Sequence, residues 1–426
     1  MKRVLMIAYH FPPLAGSSGI QRTLRFVQQL PSLGWQPLVL TAHPMAYERT
    51  SADLLADVPT DTVVRRALAL DTARHLSIGG RYVAAMARPD RWVSWRWDAV
   101  RQGLRLIREF RPRALWSTYP IATAHCIGAE LQRRSSLPWI ADFRDPMAQD
   151  DYPSDPITRA QFQRIEASAA RRSNLCCFTT PSAAQTYRDR YPEAAHKMVV
   201  LENGYDEASF AKMEASPGPR EPLNPGRMTL LHSGIVYPSE RDPTQLFEAL
   251  GAVRRGHPQA AELLRIRFRA AMSDGLLNQL ARQHRVESMV EVLPAVGYAT
   301  ALAEMLRADG LLLMQARNCN EQIPAKVYEY LRAKRPIVCL SDPGGDTWDV
   351  LLRAGVGALA PLNNAREIAE LLLAFAAGED RGWVPRTDAV VAASREAKGI
   401  ELAEHLDRIT HATLGEDRAE PCIDTL

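Results

Sequence analysis

Two carboxylates eight residues apart, Glu321 and Glu329, flank the segment Gln322-Ile323-Pro324-Ala325-Lys326-Val327-Tyr328. A carboxylate accepts two hydroxyl hydrogen bonds without help from a metal, so such a pair can hold neighbouring hydroxyl groups. Pro324 lacks an amide donor and favours the first turn of a helix. A helix is therefore expected from about Ala325, with Glu321 on the loop before it and Glu329 in the next turn. The apolar run Gly310 to Met314 precedes the pair and Arg335-Pro336-Ile337-Val338 follows it, which is a strand-to-helix junction followed by another strand. Lys326, between the two acids, is a candidate phosphate contact.

Other strand ends carry chemistry of the same kind. His10-Phe11-Pro12-Pro13-Leu14-Ala15-Gly16-Ser17-Ser18-Gly19 leads from a first strand to a helix starting near Ile20. Gly16 and Gly19 permit close backbone approach, and free amides at a helix N-terminus attract phosphate; a plain turn is the competing reading. The G-x-G pair of a dinucleotide fingerprint is absent. Arg241 follows the strand Thr229 to His232 and can grip phosphate bidentately, or form a surface ion pair with Glu240 or Asp242. Asp142, Arg144 and Asp145 crowd the end of a strand from Trp139, the ligand side of an α/β sheet. There Asp145 can hold or deprotonate a hydroxyl and Arg144 can orient it or bind an anion, unless the three form an internal clamp. Asn203-Gly204 reads as a sharp turn through positive φ. His10, His125 and His232 read as loop or core histidines, since no pair has metal spacing.

Short apolar runs alternating with helical patterns imply βα units and parallel sheets. Strands are expected at Arg3–Ala8, Pro37–Thr41, Thr62–Arg66, Ala114–Ser117, Trp139–Asp142, Leu175–Thr179 and Met198–Leu201, completing a domain over residues 1–206. Residues 207–227, with Ser216-Pro217-Gly218-Pro219, have linker composition. A second domain over 228–387 has strands at Met228–His232, Leu264–Arg269, Met289–Val292, Gly310–Met314, Ile337–Leu340 and Gly357–Ala360. A helical segment over 388–413 and a weakly patterned tail over 414–426, expected to be disordered, complete the chain.

The Glu321/Glu329 pair, the glycine loop after the first strand and Asn203-Gly204-Tyr205-Asp206 together resemble the E-x7-E glycosyltransferases of family 4, from Lys2 to Phe375. The resemblance implies the α/β GT-B fold: two Rossmann-like domains facing an interdomain cleft, acceptor-binding first and nucleotide-sugar-binding second, with a C-terminal helix crossing back to the first domain. It implies retaining, metal-independent transfer of a sugar from a nucleoside diphosphate to a hydroxyl, with no cofactor beyond the donor, in bacterial-type surface polysaccharide or glycoconjugate synthesis. Glu321 would lie against the donor sugar and Glu329 on the ribose hydroxyls. Gly16 and Gly19 would lie beside the donor phosphates, and Arg144 stands where many members have a sugar-contacting His. Many members place two cations after the second domain's first strand. Here Ile235 occupies the first position and Arg241 the second, leaving Lys326 to supply the other charge. Ile323 and Pro324 replace the usual Phe and Gly, so the amides that meet the donor are expected to be arranged differently. Two rivals stand beside this reading: a sugar-nucleotide epimerase and a non-catalytic scaffold.

The 426 residues exceed what one core usually supports, which agrees with two domains. A net charge of +3 gives no reason to expect nucleic acid. Six scattered cysteines without C-x2-C spacing suit free thiols in a reducing compartment. The initial apolar run Val4–Ala8 is too short for a signal peptide, and no run approaches a membrane span, so a cytoplasmic location is expected. Nine arginines lie between Arg81 and Arg113 with Trp92, Trp95 and Trp97 interleaved. Such a segment can rest on the anionic inner face of a membrane, which suits a glycan or lipid-linked acceptor, or it can simply pack on its own domain.

Overall fold

The computed structural model describes residues 1–17, 19–150, 152–215, 221–379 and 382–416, with side chains described as far as His411. The tail assigned to 414–426 therefore lies mostly outside the described residues. The chain divides into two compact units: Met1–Glu202 joined by the segment from Lys398 onward, and Asn203–Ala397.

In the first unit the order is β1 (Lys2–Ile7), α1 (Gly19–Gln29), β2 (Trp35–Ala42), β3 (Val63–Ala67), α2 (Thr72–His75), α3 (Trp95–Phe110), β4 (Ala114–Thr118), α4 (Ala122–Ser135), β5 (Trp139–Arg144), α5 (Pro156–Arg172), β6 (Leu175–Phe178), α6 (Pro181–Arg190) and β7 (Met198–Val200). The strands form one parallel sheet in the order β3-β2-β1-β4-β5-β6-β7. A parallel sheet is covered on both faces, so its strands are apolar throughout. Strand periodicity then divides them: Leu5 and Ile7 join one core with Leu38, Leu40 and Leu115, while Val4 and Met6 join another with Val39, Trp116 and Ile140.

The second unit runs α7 (Glu207–Ala215), β8 (Met228–Ser233), α8 (Thr244–Gly256), α9 (Pro258–Leu263), β9 (Leu264–Arg269), α10 (Asp274–His284), β10 (Val290–Leu293), α11 (Tyr298–Arg307), β11 (Gly310–Met314), α12 (Lys326–Ala333), β12 (Ile337–Leu340), α13 (Asp346–Arg353), β13 (Leu359–Ala360), α14 (Ala365–Ala376) and α15 (Thr387–Ala392). Its parallel sheet has the order β10-β9-β8-β11-β12-β13. In each unit the connections reverse direction beside the first strand, between β1 and β4 and between β8 and β11. Such reversals open a crevice at the strands' carboxyl ends, where ligands bind in sheets of this kind.

A final helix, α16 (Arg395–Glu416), returns to the first unit. Leu402, Leu406 and Ile409 recur at helical spacing and bury against Val4, Phe26 and Trp35. Asp407 accepts from Trp35 Nε1 at 2.7 Å and pairs with Lys2.

Three local differences from the sequence reading have physical causes. Glu207–Ala215, assigned to a linker, is helical: Phe210 is buried beside Tyr205, and Glu207 and Glu214 both pair with Arg332. The helical segment over 388–413 is broken at Ala393-Ser394, where the backbone of Tyr205 inserts. Tyr205 N donates to the Ala393 carbonyl at 3.1 Å and Arg395 N to the Tyr205 carbonyl at 3.0 Å. Gly204 is needed for that close approach rather than for positive φ, since a Cβ there would lie 2.8 Å from the Ala393 oxygen.

Candidate functional site

The first cluster sits at the carboxyl edge of the first sheet. Gly16 has φ of +79°, which releases the chain from the β1 loop toward α1. Gly19 opens α1, and a Cβ there would lie 2.5 Å from His10 Nδ1 and 2.9 Å from a terminal nitrogen of Arg144. The helix N-terminus and the guanidinium are thus brought into contact because residue 19 has no side chain. His10 Nδ1 lies 3.1 Å from Ser17 Oγ. Burial, and then the charge of Arg144, hold His10 down to about 4, so it is neutral.

Arg144 ends β5 at a bulge with φ of +66°. Thr179 N and Oγ1 anchor its carbonyl at 2.7 and 2.9 Å. Its side chain donates to the Tyr119 carbonyl at 3.2 Å. Burial, and then the neighbouring Arg22 charge, push its pKa below the usual arginine value. A cation beside the positive end of a helix dipole, with another arginine near, is arranged to receive an anion. Asp145 is exposed and accepts from Thr179 Oγ1 at 3.2 Å.

The internal clamp does exist, but its arginine is Arg22 and its acid is Asp142. Arg22 meets Asp142 through Nε at 3.0 Å and a terminal nitrogen at 2.8 Å, and also donates to the Leu201 and Glu202 carbonyls. Thr118 Oγ1 adds a bond at 2.8 Å. Asp142 is fully buried and its oxygens are occupied, so it braces the edge on which Arg144 and Asp145 sit.

The second cluster sits at the β8/β11 crevice of the second unit. Helix α12 starts at Lys326, one residue later than expected, with Glu321 exposed in the preceding turn. Gln315, buried at the end of β11, shapes that turn by donating to the Cys319 and Gln322 carbonyls at 2.7 and 2.9 Å. Ala316 N to the Glu240 carbonyl (2.7 Å) and Asn318 Nδ2 to the Ser239 carbonyl (2.9 Å) stitch the turn to the loop after β8. The backbones bearing Glu321 and Arg241 are therefore tied together.

Lys326 lies over Gly234, where φ is +118° and a Cβ would come within 3.1 Å of Nζ. Its Nζ is 3.3 Å from His232 Nε2. Burial, and then the charge of Arg241, lower Lys326 to about 7, while Glu329 acts in the other direction. Arg241 stacks over Tyr237 and pairs with Glu240 at 3.4 Å, and its buried Nε has no hydrogen-bond partner. Both roles considered for Arg241, surface pair and anion grip, are thus open to its separate nitrogens. Glu329 accepts from Tyr298 Oη at 2.9 Å. Burial raises its pKa, against that hydrogen bond and the charges of Arg395 and Lys326.

His232, Tyr298 and Gln315 were not singled out for these contacts by sequence reasoning. The one signal for His232 was its place near the end of β8; the other two meet the cluster from elements remote in the chain. Among the described residues no group of three or more His, Cys, Asp and Glu could hold a metal ion, and no helix is long and apolar enough to cross a membrane.

Residues 18–204 match the model of the glycosyl transferase 4-like domain. No curated protein matches the chain in sequence. Among solved structures, HepE of Anabaena in complex with UDP is similar with a TM-score of 0.59 and 12% identity, over 99% of this chain and 100% of that one. A trehalose 6-phosphate synthase from Burkholderia multivorans has a TM-score of 0.63 and 12% identity, over 97% and 100%. A proposed UDP-N-acetylglucosamine 2-epimerase from Listeria monocytogenes has a TM-score of 0.57 and 11% identity, over 98% of each chain. At such identities the structural likeness speaks for the fold. Residues 18–204 thus belong to the glycosyl transferase 4-like domain family, within a chain that has the GT-B fold.

Proposed function

We propose that the protein transfers a sugar, with retention, from a nucleoside diphosphate to a hydroxyl acceptor. The observation that carries this reading is the second-unit cluster, where Lys326 and Arg241 flank a glycine-lined strand end and Glu329 stands one helical turn beyond Lys326. That arrangement suits a diphosphate over Gly234 and ribose hydroxyls on Glu329, with Glu321 toward the sugar. In the reaction the bond from the anomeric carbon to the diphosphate oxygen breaks, and a bond to the acceptor oxygen forms. The negative charge that develops on the departing diphosphate meets Lys326 and Arg241, cations fixed in place before reaction. The acceptor proton passes to Asp145, and Arg144, at the N-terminus of α1, holds an anionic part of the acceptor. Gly16 and Gly19 contribute the backbone approach. On this reading no metal is required, and the product is a surface polysaccharide or other glycoconjugate.

A thermal-shift panel of UDP, GDP, dTDP and their common sugars tests the donor half, on wild type and Glu329→Ala. A ligand that binds only the folded state stabilises it by about 2.7 kcal/mol at a hundred times its dissociation constant. A shift with one nucleotide series, weakened in the variant, supports the reading. No shift from folded protein favours a scaffold instead. Conversion of the donor sugar without any acceptor would favour an epimerase, an activity that the described fold also accommodates.

A further inference from the structure

The connection from β3 to α3 leaves the carboxyl edge of the first sheet, and part of it is apolar and uncovered. Ile78 and Arg81 bridge antiparallel across Gly79-Gly80, whose φ angles are +58° and +76°. This is a tight two-residue hairpin that glycine makes without strain. Every residue from Ile78 to Met86 is exposed, with Ile78 at 89% and Val83 at 64%, and Arg81 is the one charge among them. The segment is nevertheless pinned: Thr72 Oγ1 lies 2.9 Å from the Met86 and Arg91 carbonyls, and Arg88 pairs with Asp155 at 3.0 Å.

The helix that follows is basic on its open side. Trp97, in the first turn of α3, is 79% exposed. Arg96, Arg105 and Arg108 are exposed, and with Arg81 they have no ion-pair partner among the described residues. The nearby acids are already engaged. Asp90 accepts from Thr123 N and Oγ1 at 2.8 and 3.0 Å, Asp98 accepts from Leu68 N and pairs with Arg101, and Glu109 pairs with Arg65.

Single exposed apolar residues need no explanation, whereas a run of exposed apolar residues that carries one unpaired cation, Arg81, and leads to another, Arg96, beside an exposed tryptophan does. Apolar side chains gain by entering the acyl boundary of a bilayer, an exposed tryptophan settles at headgroup depth, and arginines meet lipid phosphates. We propose that the Ile78–Met86 hairpin and the first turns of α3 seat the first unit on an anionic lipid surface. A second copy is the poorer occupant, because a two-fold contact would set the same unpaired arginines against each other. Since α3 runs back from the carboxyl edge, hairpin and Trp97 belong to the same edge of the first sheet as Gly19 and Arg144. Seating that edge on lipid would offer it a lipid-linked acceptor; this consequence rests on the transfer reading, whereas the seating itself needs neither donor nor turnover.

The test is co-sedimentation of the full chain with vesicles of phosphatidylcholine alone, or mixed with phosphatidylglycerol. Wild type is expected to pellet with the mixed vesicles only, and to be released by salt. Ile78→Asp/Val83→Asp is expected to stay in the supernatant, and Arg81→Glu/Arg96→Glu to lose roughly fivefold in partition per position. The melting temperature and nucleotide shift should stay unchanged in both. Quenching by brominated lipid, compared between wild type and Trp97→Phe, reads the seating without charge or hairpin variants. Equal binding to neutral vesicles, no binding to mixed ones, or partition indifferent to the variants would overturn the proposal. So would a dimer in light scattering that Ile78→Asp/Val83→Asp dissolves, which would assign the run to a second copy.

Discussion

His232 holds its imidazole with Nδ1 3.0 Å from the Leu312 carbonyl and Nε2 3.3 Å from Lys326 Nζ. A carbonyl only accepts, so Nδ1 carries the ring proton and Nε2 turns its lone pair toward the lysine. Burial, and then the Lys326 charge, keep this histidine well below its ordinary pKa, so it is neutral. His232→Phe keeps the ring and deletes the acceptor. It is expected to weaken diphosphate binding about three- to tenfold, roughly one net hydrogen bond, with little change in melting temperature. Titration with UDP or the nucleotide found active would read it.

Lys326 makes nucleotide binding a proton-linked event. Its pKa in the ligand-free fold is about 7, against 10.5 for a free lysine. A bound diphosphate favours the charged amine, so at pH 8 binding should take up about one proton. Calorimetry in buffers of different ionisation enthalpy measures this directly, and Lys326→Met should abolish it. Affinity is expected to fall as pH rises above 7. For the ligand-free protein the sign is opposite: between pH 7 and 10.5 the unfolded chain holds a proton here that the folded one lacks, so this group makes stability rise with pH.

Gly234→Ala should damage the same site sterically. The residue sits at φ +118°, and the new Cβ would press on Lys326 Nζ. Strain of this type costs about 1–3 kcal/mol, visible in urea unfolding, and diphosphate binding should drop with it.

Arg144→Ala separates the two clusters. On the proposed reading it holds the acceptor and not the nucleotide, so nucleotide shifts should persist while transfer falls by about a hundredfold, the usual cost of a misplaced reactant. Lost nucleotide binding in a folded Arg144→Ala protein would contradict the assignment of Arg144 to the acceptor.

Asp142→Ala tests the brace. It would leave Arg22, buried, without its carboxylate, at a cost of about 3–5 kcal/mol in stability. Asp142→Asn should cost less, since it retains acceptors for Thr118 and Arg22. Chemical denaturation of both variants gives the comparison.

What was legible in the sequence was local. The runs Leu264–Arg269, Gly310–Met314 and Ile337–Leu340 have the bounds expected of them, because apolar periodicity is carried within each segment. The pair Glu321 and Glu329 was legible from its spacing between two apolar runs, and Pro324 placed the helix start to within a residue. Helices α7 and α13 were missed where Pro, Gly and Asp dominate the neighbourhood and remote partners stabilise the helix. Arg332 holds α7 across more than a hundred residues, and Asn320 receives Asp346 N at the start of α13 at 2.8 Å. The Arg22–Asp142 clamp and the His232–Lys326 contact were illegible for the same reason: each joins residues that only the finished sheet brings together.

The return of α16 to the first sheet also orders events in time. On the ribosome the first unit emerges with Val4, Phe26 and Trp35 lacking the helix that covers them, and Leu402, Leu406 and Ile409 come only after Asn203–Ala397 has been made. At elongation speeds of about 5–20 residues per second that interval is roughly 10–40 s. Throughout it the nascent chain displays a sticky apolar strip, a natural station for a chaperone, and truncation before Lys398 would make that display permanent.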